Sequence, residues 1–459
     1  MSEIVKNYRK SFNFRGRVIL PFVYKCMRDP RFQILDELLE RDEWSLGQIK
    51  AHQAKRLERL LHVGWEHNPY WRDKFKRFGV NPNRTDPYVE LAKLPILTKD
   101  EVRANFGQMH STHLAKTNSI RVTSSGSTSL QVTVWQSQYY CHLHKAMDYR
   151  ALAWMGVCPG DPYLTVHGHS PFTSKKKLLS SYLRTILDNG FTIDSSHIDP
   201  EPTKRLLRRA QQYGCVHVRG YTTAMAEVAE LSQEMGLKWP TVKAVSTTAE
   251  PLPNETRKLL EDAYEAKVYD RYGSSEVLSI SAECRMGKHH IFSDLNYVEF
   301  VQLEDADEGY EAILLTPLDN EAMPLFRYRN GDSASAVEGT CSCGSTLPLM
   351  TECKGRICGN LITPDGRIIN GISFLWFFAN QAGFRAYQFH QTSPEHIDLY
   401  VVPDGTLTEE RRKYLDSACE RIACDFHAGF KVDLHIVDEI PRTPTGKHMY
   451  IFSDCLKHL

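Results

Sequence analysis

The chain carries no net charge: 56 lysines and arginines balance 56 aspartates and glutamates over 459 residues. That balance removes the broad electrostatic footprint of nucleic-acid and anionic-membrane binders. Long apolar runs are missing as well. The stretch 16–27 is broken by Arg17 and Lys25, and nothing approaches the ~18–20 apolar residues of a membrane span. The start of the chain is charged and lacks the apolar segment of a secretory signal. Internal repeats and low-complexity tracts are absent. The 12 cysteines are thinly spread, unlike those of a small disulfide scaffold. The expectation is a reducing, cytoplasmic setting, in which clustered cysteines point to metal.

What is present suits a large enzyme-sized core. Apolar residues make up 42% and charged residues 24% of the chain. The length suggests roughly two to four domains at about 150 residues each, or one large domain with a small one. Ile49, Leu57, Leu60, Leu61 and Trp65 recur at helical spacing and predict a helix over 46–67, ended by Asn68-Pro69-Tyr70-Trp71. Thr98 reads as the N-cap of a short helix through 100–106. From 140 to 300 strands alternate with helices. Strands are predicted at 163–166, 215–219, 242–246 and 267–269, and helices at 138–155, 202–213, 222–235 and 254–263. Such alternation implies βαβ units and a parallel sheet, with ligands at the strand ends. After Gly355-Arg356 the pattern changes. A hairpin around Asp365-Gly366, a strand at 397–402, a helix at 409–422 and a strand at 432–437 read as a compact α+β unit. The fold class is therefore α/β, with domains over 1–355 and 356–459.

Four segments carry candidate chemistry. The first is Thr123-Ser124-Ser125-Gly126-Ser127-Thr128-Ser129, a hydroxyl-rich turn followed by β-favouring residues. Short hydroxyl donors beside free backbone N–H groups suit a polyphosphate. No Gly-Lys-Ser/Thr ends it, so it is not a Walker A loop. The second, Asp270-Arg271-Tyr272-Gly273-Ser274-Ser275-Glu276, offers an aromatic face for a base and a carboxylate for magnesium, at a predicted strand end. In the third, Arg327-Tyr328-Arg329-Asn330-Gly331-Asp332, an aspartate after a tight turn can accept from ribose hydroxyls. The fourth, Ile440-Pro441-Arg442-Thr443-Pro444-Thr445-Gly446-Lys447, holds a lysine on a non-helical loop, where it can stabilise developing negative charge. Each alone also reads as an ordinary turn.

A further pattern concerns metal. Cys284, His289 or His290, Cys341 and Cys343 supply three thiolates and an imidazole, which satisfy tetrahedral zinc with no open position. Cys353 and Cys358 are nearby competitors. The alternative is a set of buried, unligated cysteines.

In order and spacing the four segments resemble the adenylate-forming superfamily of acyl- and aryl-CoA synthetases, and within it the phenylacetate–CoA ligase branch, which includes proteins assigned to capsular polysaccharide synthesis. His67-Asn68-Pro69-Tyr70-Trp71 and Leu94-Pro95-Ile96-Leu97-Thr98-Lys99 resemble that branch too, and the likeness runs over 46–451. It implies a large N-terminal domain and a mobile C-terminal one, turning about a hinge near Arg356. It further implies that Ser124, Ser125, Gly126, Ser127 and Thr128 hold the β- and γ-phosphates of ATP. Glu250 and Pro251, within Ala249-Glu250-Pro251, would lie beside adenine. Tyr272 and Gly273 would stack on it, and Glu276 would bind Mg2+. Asp332 would hold ribose, Arg356 would make a second ribose or phosphate contact, and Lys447 would catalyse adenylation. Similar Cys…His…Cys-x-Cys segments in the branch favour His290 over His289. The implied activity is formation of an acyl-adenylate from a small carboxylate, then transfer to coenzyme A, a carrier thiol, an amine or a sugar. Homodimerisation is allowed for.

Two departures from the family pattern stand out. Ser129-Leu130-Gln131 replaces the usual Gly-Lys-Pro, and Ile357-Cys358-Gly359 follows Gly-Arg where aspartates are usual. The second makes an amine or sugar acceptor more credible. A non-enzymatic nucleotide-binding relative is the remaining alternative.

Overall fold

The computed structural model describes residues 3–84, 86–123, 132–167, 183, 185–195, 198, 200–303, 310–353, 360–366, 368–370, 384–425, 429–441 and 449–455. None of its helices is long and apolar enough to cross a membrane, among the described residues.

The helix Leu46–His67 forms where its apolar spacing predicts it, with Ile49, Leu57, Leu60 and Leu61 buried. Ser45 opens it with a capping box: its side chain accepts from the Gln48 N–H, and the Gln48 side chain accepts from the Ser45 N–H. Pro69 then pushes Asn68 into an extended conformation (φ −119°, ψ 109°), which stops the helix. The stop is also a start. Asn68 caps a second helix, Pro69–Phe78, with proline inside its first turn. Sequence reading took 68–71 only as a terminator. The new helix buries Trp71, whose Nε1 donates to the Pro324 carbonyl at 2.7 Å and whose ring meets Phe326 edge-on. Thr98 caps the helix Lys99–Asn105, accepting from the Glu101 N–H.

A nine-stranded sheet forms the centre. Its parallel half contains Tyr163–Val166 (β3), Gly190–Ile193 (β4), His217–Tyr221 (β5), Ala244–Thr248 (β6) and Lys267–Ser274 (β7), in the order β7-β6-β5-β3-β4. The helices Pro200–Tyr213, Thr222–Glu234 and Asn254–Tyr264 connect these strands as crossovers. Leu164, Val218, Val245 and Val268 pack with Met225, Leu260 and Tyr264 in one core cluster. This is the βαβ alternation that the sequence predicts. Beyond β7 the sheet turns antiparallel, through Leu278–Glu283 (β8), His289–Ile291 (β9), Leu349–Met350 (β14) and Ala336–Val337 (β13). The pair Ser119–Thr123 (β1) and Thr133–Ser137 (β2) is a separate hairpin. Asn296–Val301 (β10), Glu311–Pro317 (β11) and Tyr328–Ala334 (β12) make a three-stranded sheet.

Two local expectations change. β7 does not end before Tyr272-Gly273. Its parallel partner β6 stops opposite Arg271, but β8 carries the ladder on through Tyr272↔Ser281 and Gly273↔Ser279. Likewise Asp332, expected after a tight turn, lies in a bulge of strand β12: β11 pairs with Tyr328 and Arg329 before it and with Ser333 and Ala334 after it, and the register shifts around Asn330-Gly331-Asp332, where Gly331 takes φ 89°.

The C-terminal hairpin forms between Asn360–Ile362 (β15) and Ile368–Asn370 (β16), with Gly366 at φ 85°. The sheet that follows has the order β19-β18-β17-β20, from Phe384–Ser393 (β17), His396–Pro403 (β18), Lys431–Ile436 (β19) and Ile451–Ser453 (β20). Helix Glu409–Asp425 joins β18 to β19. Leu361, Phe389, Ile397, Leu399, Val401, Leu415 and Ile422 form a core cluster of their own.

Candidate functional site

Three parallel strands end side by side, which is where sheets of this type receive ligands. At the end of β5, Gly220 lies against β3: a Cβ there would meet the Val166 carbonyl oxygen at 2.2 Å. His167 follows β3, and its ring lies 4.3 Å from that of Tyr221. At the end of β6, Ala249 opens the turn Ala249-Glu250-Pro251 at φ 70°. A non-glycine residue in that conformation costs of order 1–3 kcal/mol and is characteristic of functional turns. The turn is tied down by Thr222, whose hydroxyl donates to the Glu250 carbonyl at 3.2 Å.

At the end of β7 the backbone packs closely. A Cβ at Gly273 would sit 2.3 Å from the Leu278 carbonyl oxygen, so only glycine lets β7 and β8 close here. Tyr272 then aims its hydroxyl at β12, donating to Asp332 Oδ2 at 2.8 Å. Asn330 Nδ2 donates to the same Oδ2 at 2.6 Å and to the Tyr272 hydroxyl at 2.7 Å. Burial, reinforced by the Asp332 carboxylate, pushes the Tyr272 phenol well up, so the phenol stays protonated. The third member of the row, Tyr328, donates to Glu276 Oε1 at 3.0 Å. Tyr328, Asn330 and Asp332 are alternate residues of one strand and share a face, at 0%, 0% and 6% exposure. Two bases of the expected nucleotide site, Glu276 and Asp332, are thus joined through a single strand. Gln136 of β2 adds a bond from Nε2 to the Ser275 carbonyl at 2.8 Å, beside Glu276.

The structure therefore brings together Tyr272, Gly273, Glu276 and Asp332, with Glu250 and Pro251 on the neighbouring strand end. Sequence reading gave no role to Tyr328, Asn330 or Gln136. The period-two spacing of 328, 330 and 332 was the available signal. Ser124, Ser125, Gly126, Ser127, Thr128, Arg356 and Lys447 lie outside the described residues. The serine loop's ends are nevertheless fixed: Thr123 pairs with Thr133, their hydroxyls 3.0 Å apart.

An ion-pair layer supports β7 from behind. Arg271 bonds Asp148 of helix Gln138–Trp154. Burial raises the Asp148 carboxyl, but Arg271 and His144 outweigh it and draw it down to about 2. Thr247 donates to Asp270 Oδ1 at 3.0 Å, and His289 Nε2 lies 3.6 Å from Asp270 Oδ2.

The Cys–His segments meet on the antiparallel half of the same sheet. Cys284, His290, Cys341 and Cys343 place one donor atom each within 4.8 Å of one another. Cys284 Sγ and Cys341 Sγ are 3.7 Å apart, and Cys343 Sγ lies 3.3 Å from His290 Nε2. A disulfide, at about 2.05 Å, is excluded for that pair. Tetrahedral bonds of about 2.3 Å to sulfur and 2.0–2.1 Å to nitrogen would put neighbouring donors about 3.8 Å (S–S) and 3.5 Å (S–N) apart. His290 Nδ1 lies 3.1 Å from the Leu347 carbonyl, which as acceptor fixes the tautomer and leaves Nε2 for a metal. The N–H groups of Met286 and Ser345 donate to Cys284 Sγ and Cys343 Sγ at 3.4 Å each. The donor set fits a closed tetrahedral ion, and it is His290, not His289, that joins the three cysteines. Cys353 is not part of this cluster, and Cys358 lies outside the described residues.

Residues 361–454 match the CapK C-terminal domain family. Over 389 residues the chain is 26% identical to phenylacetate–coenzyme A ligase of Escherichia coli, covering 82% of this chain and 83% of that one. It is 23% identical over 418 residues to Protein CapK of Staphylococcus aureus, covering 88% of each. Among solved structures, 2-hydroxyisobutyryl-CoA ligase in the postadenylation state with 2-HIB-AMP matches with a TM-score of 0.69 at 17% identity, over 90% of this chain and 91% of that one. That likeness concerns the fold. Taken together, these matches show that the chain is similar to phenylacetate–CoA ligases and to Protein CapK over most of its length, and that residues 361–454 match the CapK C-terminal domain family.

Proposed function

We propose that this chain is an ATP-dependent, AMP-forming ligase that activates a small carboxylate and passes the acyl group to a thiol. In the first half-reaction a carboxylate oxygen attacks the α-phosphorus of ATP, the bond to the β-phosphate oxygen breaks, and pyrophosphate leaves. In the second, the thiolate of coenzyme A attacks the acyl carbon, and AMP leaves with the bridging oxygen. The observation that carries this reading is the joined row Tyr272–Asn330–Asp332 with Tyr328–Glu276 at the end of a parallel strand.

Within this reading Asp332 accepts from the ribose hydroxyls, held in place by Tyr272 and Asn330. Tyr272, Gly273, Glu250 and Pro251 form the adenine edge. Glu276 is the residue that would hold Mg2+, which when bound offsets phosphate charge; Tyr328 orients its carboxylate. Ser124, Ser125, Gly126, Ser127 and Thr128 cradle the β- and γ-phosphates, Arg356 adds a phosphate or ribose contact, and Lys447 meets the charge that develops at the α-phosphate. The division into domains over 1–355 and 356–459 belongs to the same proposal. So does a structural Zn2+ on Cys284, His290, Cys341 and Cys343. All four ligands come from the protein, so this ion braces the sheet beside β7 and takes no part in the chemistry.

A second reading concerns the acceptor. Ile357-Cys358-Gly359 after Arg356, where the resembled branch usually has aspartates, favours transfer to an amine or to a hydroxyl of a sugar. Incubation of the chain with ATP and a panel of aryl and small carboxylates, with coenzyme A or amino sugars supplied in turn, separates the two. Thioester formation supports the first reading. Acyl-adenylate that accumulates with coenzyme A and is discharged by an amino sugar supports the second. Absence of any acyl-adenylate overturns both.

A further inference from the structure

The C-terminal sheet carries another cluster of metal-binding side chains, separate from the nucleotide network and from the Cys–His cluster. β18 and β19 run parallel, with Asp398 opposite Asp433 and Tyr400 opposite His435. Strand alternation sends Ile397, Leu399 and Val401 into the core, where each is 0% exposed. His396 and Asp398 occupy the other face and meet Asp433 and His435 from the neighbouring strand. His396 Nε2 lies 3.4 Å from Asp398 Oδ1 and 3.5 Å from Asp433 Oδ2. His435 Nε2 lies 2.7 Å from Asp398 Oδ1, and its ring stacks on Tyr400. One donor atom from each of His396, Asp398 and Asp433 falls within 4.8 Å of the others.

This juxtaposition needs a reason. Asp398 and Asp433 occupy paired positions on the two parallel strands, so two like charges lie close together, with His396 and His435 beside them. A divalent ion between them removes that repulsion and takes the imidazole as a neutral ligand. Bonds of about 2.0–2.1 Å in tetrahedral geometry would place donor atoms about 3.4 Å apart, close to the two separations that His396 makes. A mixed imidazole and carboxylate set suits zinc and its neighbours, whereas magnesium and calcium favour oxygen alone.

We propose that His396, Asp398 and Asp433 form a binding site for a divalent transition-metal ion, zinc in the first instance, and that His435 positions the Asp398 carboxylate. Three protein ligands leave room for water on the ion. The Asp433 side chain, 64% exposed, keeps the site open to exchange with solvent. The bound ion ties β18 to β19.

Zinc chloride titrated into the untagged, metal-stripped full chain by calorimetry tests this, with metal content measured after gel filtration. The expected result is two zinc equivalents in the wild type and one in both His396→Ala and Asp433→Asn. Cys341→Ser should lose the other equivalent and keep this one. His435→Phe should retain the site with about tenfold weaker binding, as removal of an outer partner does. A single equivalent in the wild type would overturn the proposal. So would His396→Ala and Asp433→Asn titrating like the wild type. These two exposed-face variants decide the matter even if Cys341→Ser does not fold.

Discussion

The Cys–His cluster and the nucleotide network sit on neighbouring parts of one assembly, yet they are built in opposite ways. In the cluster, donor atoms from β9 and three cysteines turn toward each other across 3.3–3.7 Å. Backbone N–H groups and the Leu347 carbonyl hold them there. Everything an ion needs comes from the chain. In the network, Glu276 and Asp332 are held by neighbouring hydroxyls and an amide along one strand. The chain aims these carboxylates without supplying a partner charge. In the proposed reading the closed site braces and the open one binds substrate. The comparison makes distinct predictions for each.

The largest effect is expected at the open site. Glu276→Gln should cut adenylation by about 10²–10³-fold, as loss of one preorganised electrostatic group does, with the melting temperature little changed. An activity loss matched by an equal loss of folded protein would make Glu276 a structural residue. At the closed site the pattern should invert. Cys343→Ser should destabilise the fold by about 4 kcal/mol, in the range for loss of a structural metal, and its folded fraction should adenylate normally. Metal analysis with urea unfolding reads this. Wild-type stability in that variant would contradict a bracing role.

Smaller effects sharpen the boundary between the two. Gly273→Ala forces a methyl against the Leu278 carbonyl and should cost about 1–3 kcal/mol, the range for overpacking, while also raising KM for ATP. A wild-type urea midpoint would show that β7 and β8 have slack. Tyr272→Phe removes the bond to the Asp332 carboxylate and the one accepted from Asn330, and KM for ATP should rise about tenfold, given about 1.5 kcal/mol for the bond to the charged group. The smallest effect concerns pH. Asp148 is drawn down to about 2 in the folded chain, so between about 2 and 4 the unfolded chain binds more protons there. Its contribution is present above about 4 and is lost as pH falls toward 2. Asp148→Asn should flatten that slope, measured as urea midpoints at pH 3 and 5.

Much of the fold was legible in the residues. The helix Leu46–His67 and the strand Tyr163–Val166 have the predicted bounds, because their apolar spacing and flanking prolines leave little freedom. The Cys-x-Cys segment and its distant cysteine and histidine were legible because coordination demands those residue types. Less visible was what strand pairing decides. β7 runs on through Tyr272 because β8, the next strand, folds back onto it, and Asp332 sits where the β11–β12 register shifts. Neither the tight return nor the bulge is marked by residue type. Beyond their period-two spacing with Asp332, Tyr328 and Asn330 carry no sequence signal of a role, because Glu276 and Tyr272, which they bond, lie more than fifty residues away. Between His289 and His290, the residues alone left both open and the resemblance favoured His290, which is the one that meets the three cysteines.

The central claim is that the carboxylates of Glu276, just past the end of β7, and Asp332, on β12, serve adenylation. Carboxylate-dependent exchange of labelled pyrophosphate into ATP tests it most directly, run on the wild type and Asp332→Ala at matched folded concentration. The account predicts exchange in the wild type only when an acid from the panel is present, and background exchange in the variant. Exchange in Asp332→Ala equal to the wild type, or none in the wild type with any acid, would contradict it.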